Sequence, residues 1–200
     1  MIRGHLLVGN ELIETGRWAD ALPHFLHPEE EIYASLRDDL KAFNIAPFQA
    51  ALKSLSQTVK AKNKDAYARA RAVLDERLAA AETAVRAKEA QELSFTLEAA
   101  LEVLQQAADE YEKAIEKNRI ANVVEYQDAR GFVFEADRLV STVMQEAGAK
   151  NAEAAKALKA SLDDLKAVLP AVTPPKQPVK DAGEFLSSVA TFELQLGNFQ

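Results

Sequence analysis

Residues 122–148 read NVVEYQDARGFVFEADRLVSTVMQEAG, and this stretch decides the fold. Ala129, Phe132, Val133, Ala136, Leu139, Val140 and Val143 recur at three- and four-residue intervals. At about 100° per residue that spacing gathers them on one side of a helix. No proline interrupts the run, and Asn122 with Glu125 three residues on has the form of a capping box, opening a helix that ends at Gly148. A long helix with one apolar face must bury that face against other helices. The same spacing of Leu, Val, Ile and Ala recurs along the rest of the chain, so we expect an all-α protein: an antiparallel helical bundle of about seven to eight helices.

Working outward from that helix, boundary signals place the others at 2–14, 18–26, 28–43, 47–60, 65–88, 94–117, 151–169 and 182–196. Thr15-Gly16 closes the first helix. His27 precedes Pro28 and is biased away from helical geometry, while Pro28 suits a first helical position followed by Glu29, Glu30 and Glu31. Asp65 and Asn151 have N-cap chemistry. Residues 170–178 (PAVTPPKQP) form a stiff, extended strap to the last helix. No strand is expected. The whole is expected to be one domain over 1–200, with 170–179 as its Pro-rich linker.

Composition excludes several functions. The 200 residues contain no Cys, which removes disulfide scaffolds, zinc ribbons, iron–sulfur clusters and thiol catalysis. Apolar residues make up 48% and no long apolar run occurs, so the chain is neither disordered nor expected to hold a transmembrane segment. The net charge of −7 argues against a nucleic-acid partner. Seven Gly against 37 Ala is the composition of long helices. Phosphate-cradling glycine loops, G-x-S-x-G, H-E-x-x-H, EF-hand loops and the paired E-x-x-H of di-iron bundles are all missing. No catalytic set emerges, and the enzyme question is left open, leaning to no.

The three histidines, His5, His24 and His27, all fall in the first 27 residues. Imidazole is the commonest side-chain metal ligand. His5 falls on the apolar face of its helix with Ile2, Leu6, Gly9 and Leu12. His24 and His27 are spaced i, i+3, and His27-Pro28-Glu29-Glu30 reads H-x-x-E, with Glu31 one step on. Glu125 falls in the middle of the apolar arc of the 122–148 helix, with Asp128 at its edge. A carboxylate there must be paired, protonated or bound to a cation. Tyr111 and Tyr126 lie on apolar faces too, and their hydroxyls need partners such as His5 or Glu125. The metal-site candidates are therefore His5, His24, His27, Glu30, Glu31, Glu125 and Asp128. With no Cys, the donors are nitrogen and oxygen, which suit iron, copper or zinc. The competing reading is structural: a core histidine, helix caps, and a His/Glu/Tyr network that pins the bundle.

Three segments, GHLLVGNEL (4–12), HFLHPEEEIY (24–33) and EYQDARGFVFEA (125–136), together with the strap, resemble an uncharacterised group of exported all-helical proteins from proteobacteria. The H-x-x-E also resembles that of the imelysin family, whose motif residues are proposed metal ligands and correspond here to His27 and Glu30. Imelysins usually carry Gly two residues before the His, where this chain has Phe25, and they are longer and internally duplicated. The resemblance implies a periplasmic location, with an export signal removed ahead of Met1, or a cytoplasmic one if Met1 is the native start. The imelysin likeness implies iron uptake beside a permease, and with the His/carboxylate set the expected function is that of a periplasmic metal-binding bundle in iron or copper uptake or homeostasis, with a metal ion, and a membrane permease or other envelope protein, as partners. The alternative is a non-catalytic helical adaptor.

Overall fold

The computed structural model describes residues 1–199. Among them are nine α-helices, one π-turn and one short hairpin, and the contacts divide the chain into two compact units, Gly4–Ala90 with Ile2, and the residues from Gln91 on with Met1 and Arg3. The fold is all-α, as the periodicity requires. No helix among the described residues is long and apolar enough to cross a membrane.

The first unit holds α1 (Ile2–Glu14), α2 (Trp18–His27), the π-turn (Pro28–Ile32), α3 (Tyr33–Ala42), α4 (Gln49–Lys60) and α5 (Lys64–Arg86). Gly16, at φ 78°, ends α1, with the Gly16 and Arg17 amides donating to the Ile13 and Leu12 carbonyls; only glycine enters that conformation without strain. Gly9 lets α1 approach α2, because a Cβ there would stand 2.5 Å from the Phe25 ring. Phe25 is fully buried and meets Tyr67 of α5 edge-on, as does Trp18, and the Tyr67 hydroxyl donates to Asn10 Oδ1. We expect Gly9→Ala to destabilise this unit by about 1–3 kcal/mol through forced displacement of that ring; a melting curve unchanged from wild type would refute the close approach.

Boundaries in this unit differ from the sequence reading at the α5 cap and at His27 among other places. The α5 cap is Asn63, not Asp65: Asn63 Oδ1 accepts from the Ala66 amide at 3.0 Å, because Lys62 at φ 52° turns the chain one step earlier. His27 is helical (φ −51°, ψ −46°) despite the proline that follows it. The chain accommodates Pro28 by widening into a π-turn, so α2 runs on through the turn into α3 without a break.

The second unit is a four-helix bundle of α6 (Glu92–Ala114), α7 (Val123–Lys150), α8 (Ala152–Val168) and α9 (Ala182–Leu196). The helices pack in a ring, α6 on α7, α7 on α8, α8 on α9 and α9 back on α6. Leu97, Leu104, Tyr111, Tyr126, Phe132, Val140, Leu158, Leu162, Phe185 and Phe192 fill its core. The strap carries the chain from α8 to α9 across the end where α7 begins: Tyr126 Oη, Gln127 Nε2 and Arg130 Nη1 donate to the carbonyls of Ala171, Val172 and Leu169. At the opposite end Ser94 Oγ and Lys150 Nζ donate to the Phe199 carbonyl.

The expected helix to residue 117 stops at Ala114, where β1 (Ile115–Glu116) pairs antiparallel with β2 (Arg119–Ile120). Lys117 and Asn118 both take positive φ, 50° and 59°, the two-residue turn that suits a hairpin's twist. The Asn122 side chain makes no cap; its Nδ2 donates instead to Glu125 Oε1 at 3.3 Å. The capping box lies at α9, where Asp181 Oδ1 accepts from the Glu184 amide and Glu184 Oε2 from the Asp181 amide.

Lys180 fastens the end of the strap, donating to Asp164 Oδ2 at 2.5 Å and to Ser188 Oγ at 2.7 Å. The Lys180 ammonium, with the Ser188 hydroxyl, holds the Asp164 carboxyl below its ordinary value against the opposing effect of burial. A carboxyl whose folded value is depressed stabilises the fold above the unfolded carboxylate range, and that contribution is lost as the pH falls through the folded value. Asp164 is 51% exposed, so the pair contributes less than about 1 kcal/mol. Lys180→Ala should melt a few degrees below wild type near neutral pH, and the two curves should converge as the pH falls below the ordinary carboxylate range. A constant gap down to strong acid would show that the ion pair is not the cause.

Candidate metal centre

The geometry of α1 and α2 brings all three histidines together. His5 is 5% exposed on the apolar side of α1, beside Leu6, Gly9 and Leu12 in the sequence-predicted arc. Because α2 stays helical through His27, His24 and His27 lie one turn apart on the same side. His24 is fully buried and His27 half-buried. The His5 and His27 ring centroids are 5.3 Å apart with planes at 85°, and those of His24 and His27 are 6.5 Å apart.

These distances discriminate between the rings. With metal–nitrogen bonds of about 2.1 Å a metal lies about 3.2 Å from each ring centre, so two imidazoles on one tetrahedral ion sit about 5.2 Å apart. His5 and His27 already stand at that separation. The distance from His24 to His27 matches only ligands on opposite sides of an ion. His24 therefore suits a buried support for the pair, or a third donor after rotation of its ring.

The carboxylates that follow His27 differ in burial and partners. Glu29 is half-buried and accepts from Ser56 Oγ of α4 at 2.9 Å, whereas Glu30 and Glu31 are exposed. The π-turn that starts at Pro28 widens the backbone between His27 and Glu30.

In the second unit Asp128 of α7 is 1% exposed and Glu125, near the helix start, is half-buried beside Asn122. Flanking Asp128 are two buried polar residues that the sequence reading passed over, Gln127 and Arg130. Both donate to strap carbonyls, and the Arg130 guanidinium also lies 4.2 Å above the Phe134 ring. The visible signal was the polar run Gln127-Asp128-Ala129-Arg130 inside a helix whose neighbours are apolar. Tyr111 gives its hydroxyl to the Lys180 carbonyl at 2.8 Å, not to His5 or Glu125, and burial pushes its pKa up to about 12.

The ring of four helices is also what a comparison with known families recovers: residues 86–199 match the iron permease-associated 4-helix bundle domain. The chain belongs to that family. No curated protein and no solved structure matches it. The iron permease-associated bundle coincides with the second compact unit and includes the strap, Glu125 and Asp128. The three histidines precede it. The family thus ties the chain to iron permeases through α6–α9, while the histidine cluster belongs to the unit that comes before.

Proposed function

We propose that this protein is a periplasmic companion of an iron permease and that its first unit binds a transition-metal ion, iron, copper or zinc, through His5 and His27. The observation that carries this reading is the separation of the His5 and His27 rings, which matches two imidazoles on one ion. His24, buried beside them, holds His27 in place. The first-unit carboxylates that could join the pair by side-chain rotation are Glu30 and Glu31; Glu125 and Asp128 are carboxylate candidates within the bundle by itself. Membership of a permease-associated family supports iron as the cargo and a membrane permease as the partner. The H-x-x-E of His27 and Glu30 is the point of likeness to the imelysins, and the periplasm is where such a cargo would be met.

The test is isothermal titration of chelator-stripped full-length protein with ferrous, cupric and zinc ions. One equivalent bound by at least one of them is expected. No heat above dilution with all three would reject the metal reading. The adaptor reading draws on a separate feature, the exposed Leu186 and Leu194 of α9, the latter 77% exposed. It predicts a metal-free native protein whose binding to a permease is lost in Leu186→Glu/Leu194→Glu.

A further inference from the structure

A groove of about 700 Å³ opens in the first unit along α3 and the segment that leads into α4. It is lined by Leu40, Ile45 and Pro47 beside the buried Tyr33, by Asn44 and Gln49, and by Arg37 and Lys41, one helical turn apart. Among the described residues no carboxylate lines it, although acids outnumber bases in the chain by 31 to 24. The walls are fixed before any ligand arrives. Tyr33 Oη accepts from the Phe48 amide at 3.1 Å, and the Tyr33 ring packs edge-on against Phe48. Asn44, at φ 56°, reverses the chain so that the Ile45 amide closes onto the Leu40 carbonyl at 2.8 Å. Arg37 is held as well: its Nη2 donates to Gln49 Oε1 at 3.1 Å, and its guanidinium lies 6.0 Å from the Tyr33 ring centre.

An apolar, pre-formed wall beneath two cations selects a ligand with an apolar body and an anionic head. The volume lies within the range of small-molecule sites, roughly 300–1,000 Å³. Arg37 presents a planar fork suited to a carboxylate, and Lys41 adds a second positive charge one turn away. We infer that this groove binds an amphiphilic organic carboxylate of fatty-acid type, with the carboxylate on Arg37 and Lys41 and the hydrocarbon along Tyr33, Leu40, Ile45 and Pro47. This stands independently of the histidine pair and requires no metal.

The test uses the full-length protein in the presence of a chelator, with the fluorescent anion 1-anilinonaphthalene-8-sulfonate as reporter. Decanoate, kept below its micelle concentration, is expected to displace the dye at a concentration at least tenfold lower than decanol, which has the same chain without the charge. Arg37→Ala/Lys41→Ala is expected to weaken decanoate binding at least tenfold with its circular dichroism and melting temperature unchanged. Arg37→Lys/Lys41→Arg, which keeps both charges, should retain binding. Equal displacement by decanoate and decanol, or wild-type affinity in the double alanine variant, would overturn the assignment. So would sedimentation with anionic phospholipid vesicles without dye displacement by decanoate, which would assign the cations to a membrane surface.

Discussion

His5→Ala/His27→Ala should lose metal binding by at least about a thousandfold, because two nitrogen donors of one ion are removed together; a change in surroundings alone typically costs 10- to 100-fold. His24→Ala should fall in that smaller range, since its ring supports His27 and, at 6.5 Å, stands too far off to share a tetrahedral ion with it. The order of the two losses is the diagnostic. If His24→Ala costs as much as the double variant, His24 is a donor and the pair is misassigned. If neither variant changes the affinity, the histidines serve packing only. In the wild type, binding needs neutral imidazoles, so affinity should fall steeply below about pH 6 as protons compete for the ring nitrogens. Titration of all three proteins across that interval, with melting curves to confirm that the variants fold, separates ligand loss from unfolding.

The parts of this molecule that follow from burial were legible in the sequence. Helix α9 runs Ala182–Leu196, the bounds that its periodicity marks, because Phe185, Val189, Phe192 and Leu196 must all face the core. The clustering of the histidines was legible for the same reason: His5 shares an apolar arc with Leu6 and Leu12. What escaped was backbone geometry with no compositional mark. A π-turn differs from an α-turn by one hydrogen-bond partner, and Pro28 alone does not announce it. The hairpin after α6 has arms of two residues, too short to show any alternation, and rests on the positive φ of Lys117 and Asn118. Nothing local in the sequence shows that Ile45 and Pro47 fold back beside Arg37 and Lys41. The position of Glu30 and Glu31 relative to His27 depends on the width of the turn between them, which composition does not mark.

The largest stability effect should come from Phe185→Ala in the bundle. Phe185 is fully buried and stacks on Tyr111 of α6 with centroids 4.4 Å apart and planes at 24°. Removing the ring takes away its own burial, the stacking, and the wall that keeps Tyr111 in position, so a loss of about 3–5 kcal/mol is expected. Against total stabilities of about 5–15 kcal/mol that is a large fraction. It should lower the melting temperature by on the order of 15 °C. The effect should propagate, because Tyr111 donates to the Lys180 carbonyl at the end of the strap, and α9 packs on the bundle through α6 and α8. Tyr111→Phe isolates that hydrogen bond and should cost about 1 kcal/mol. Leu194→Ala, on the exposed side of the same helix, should stay within about 0.5 kcal/mol. A Phe185→Ala variant that melts within a few degrees of wild type would mean that α9 is not a working member of the ring, and the four-helix packing would then have to be redrawn without it.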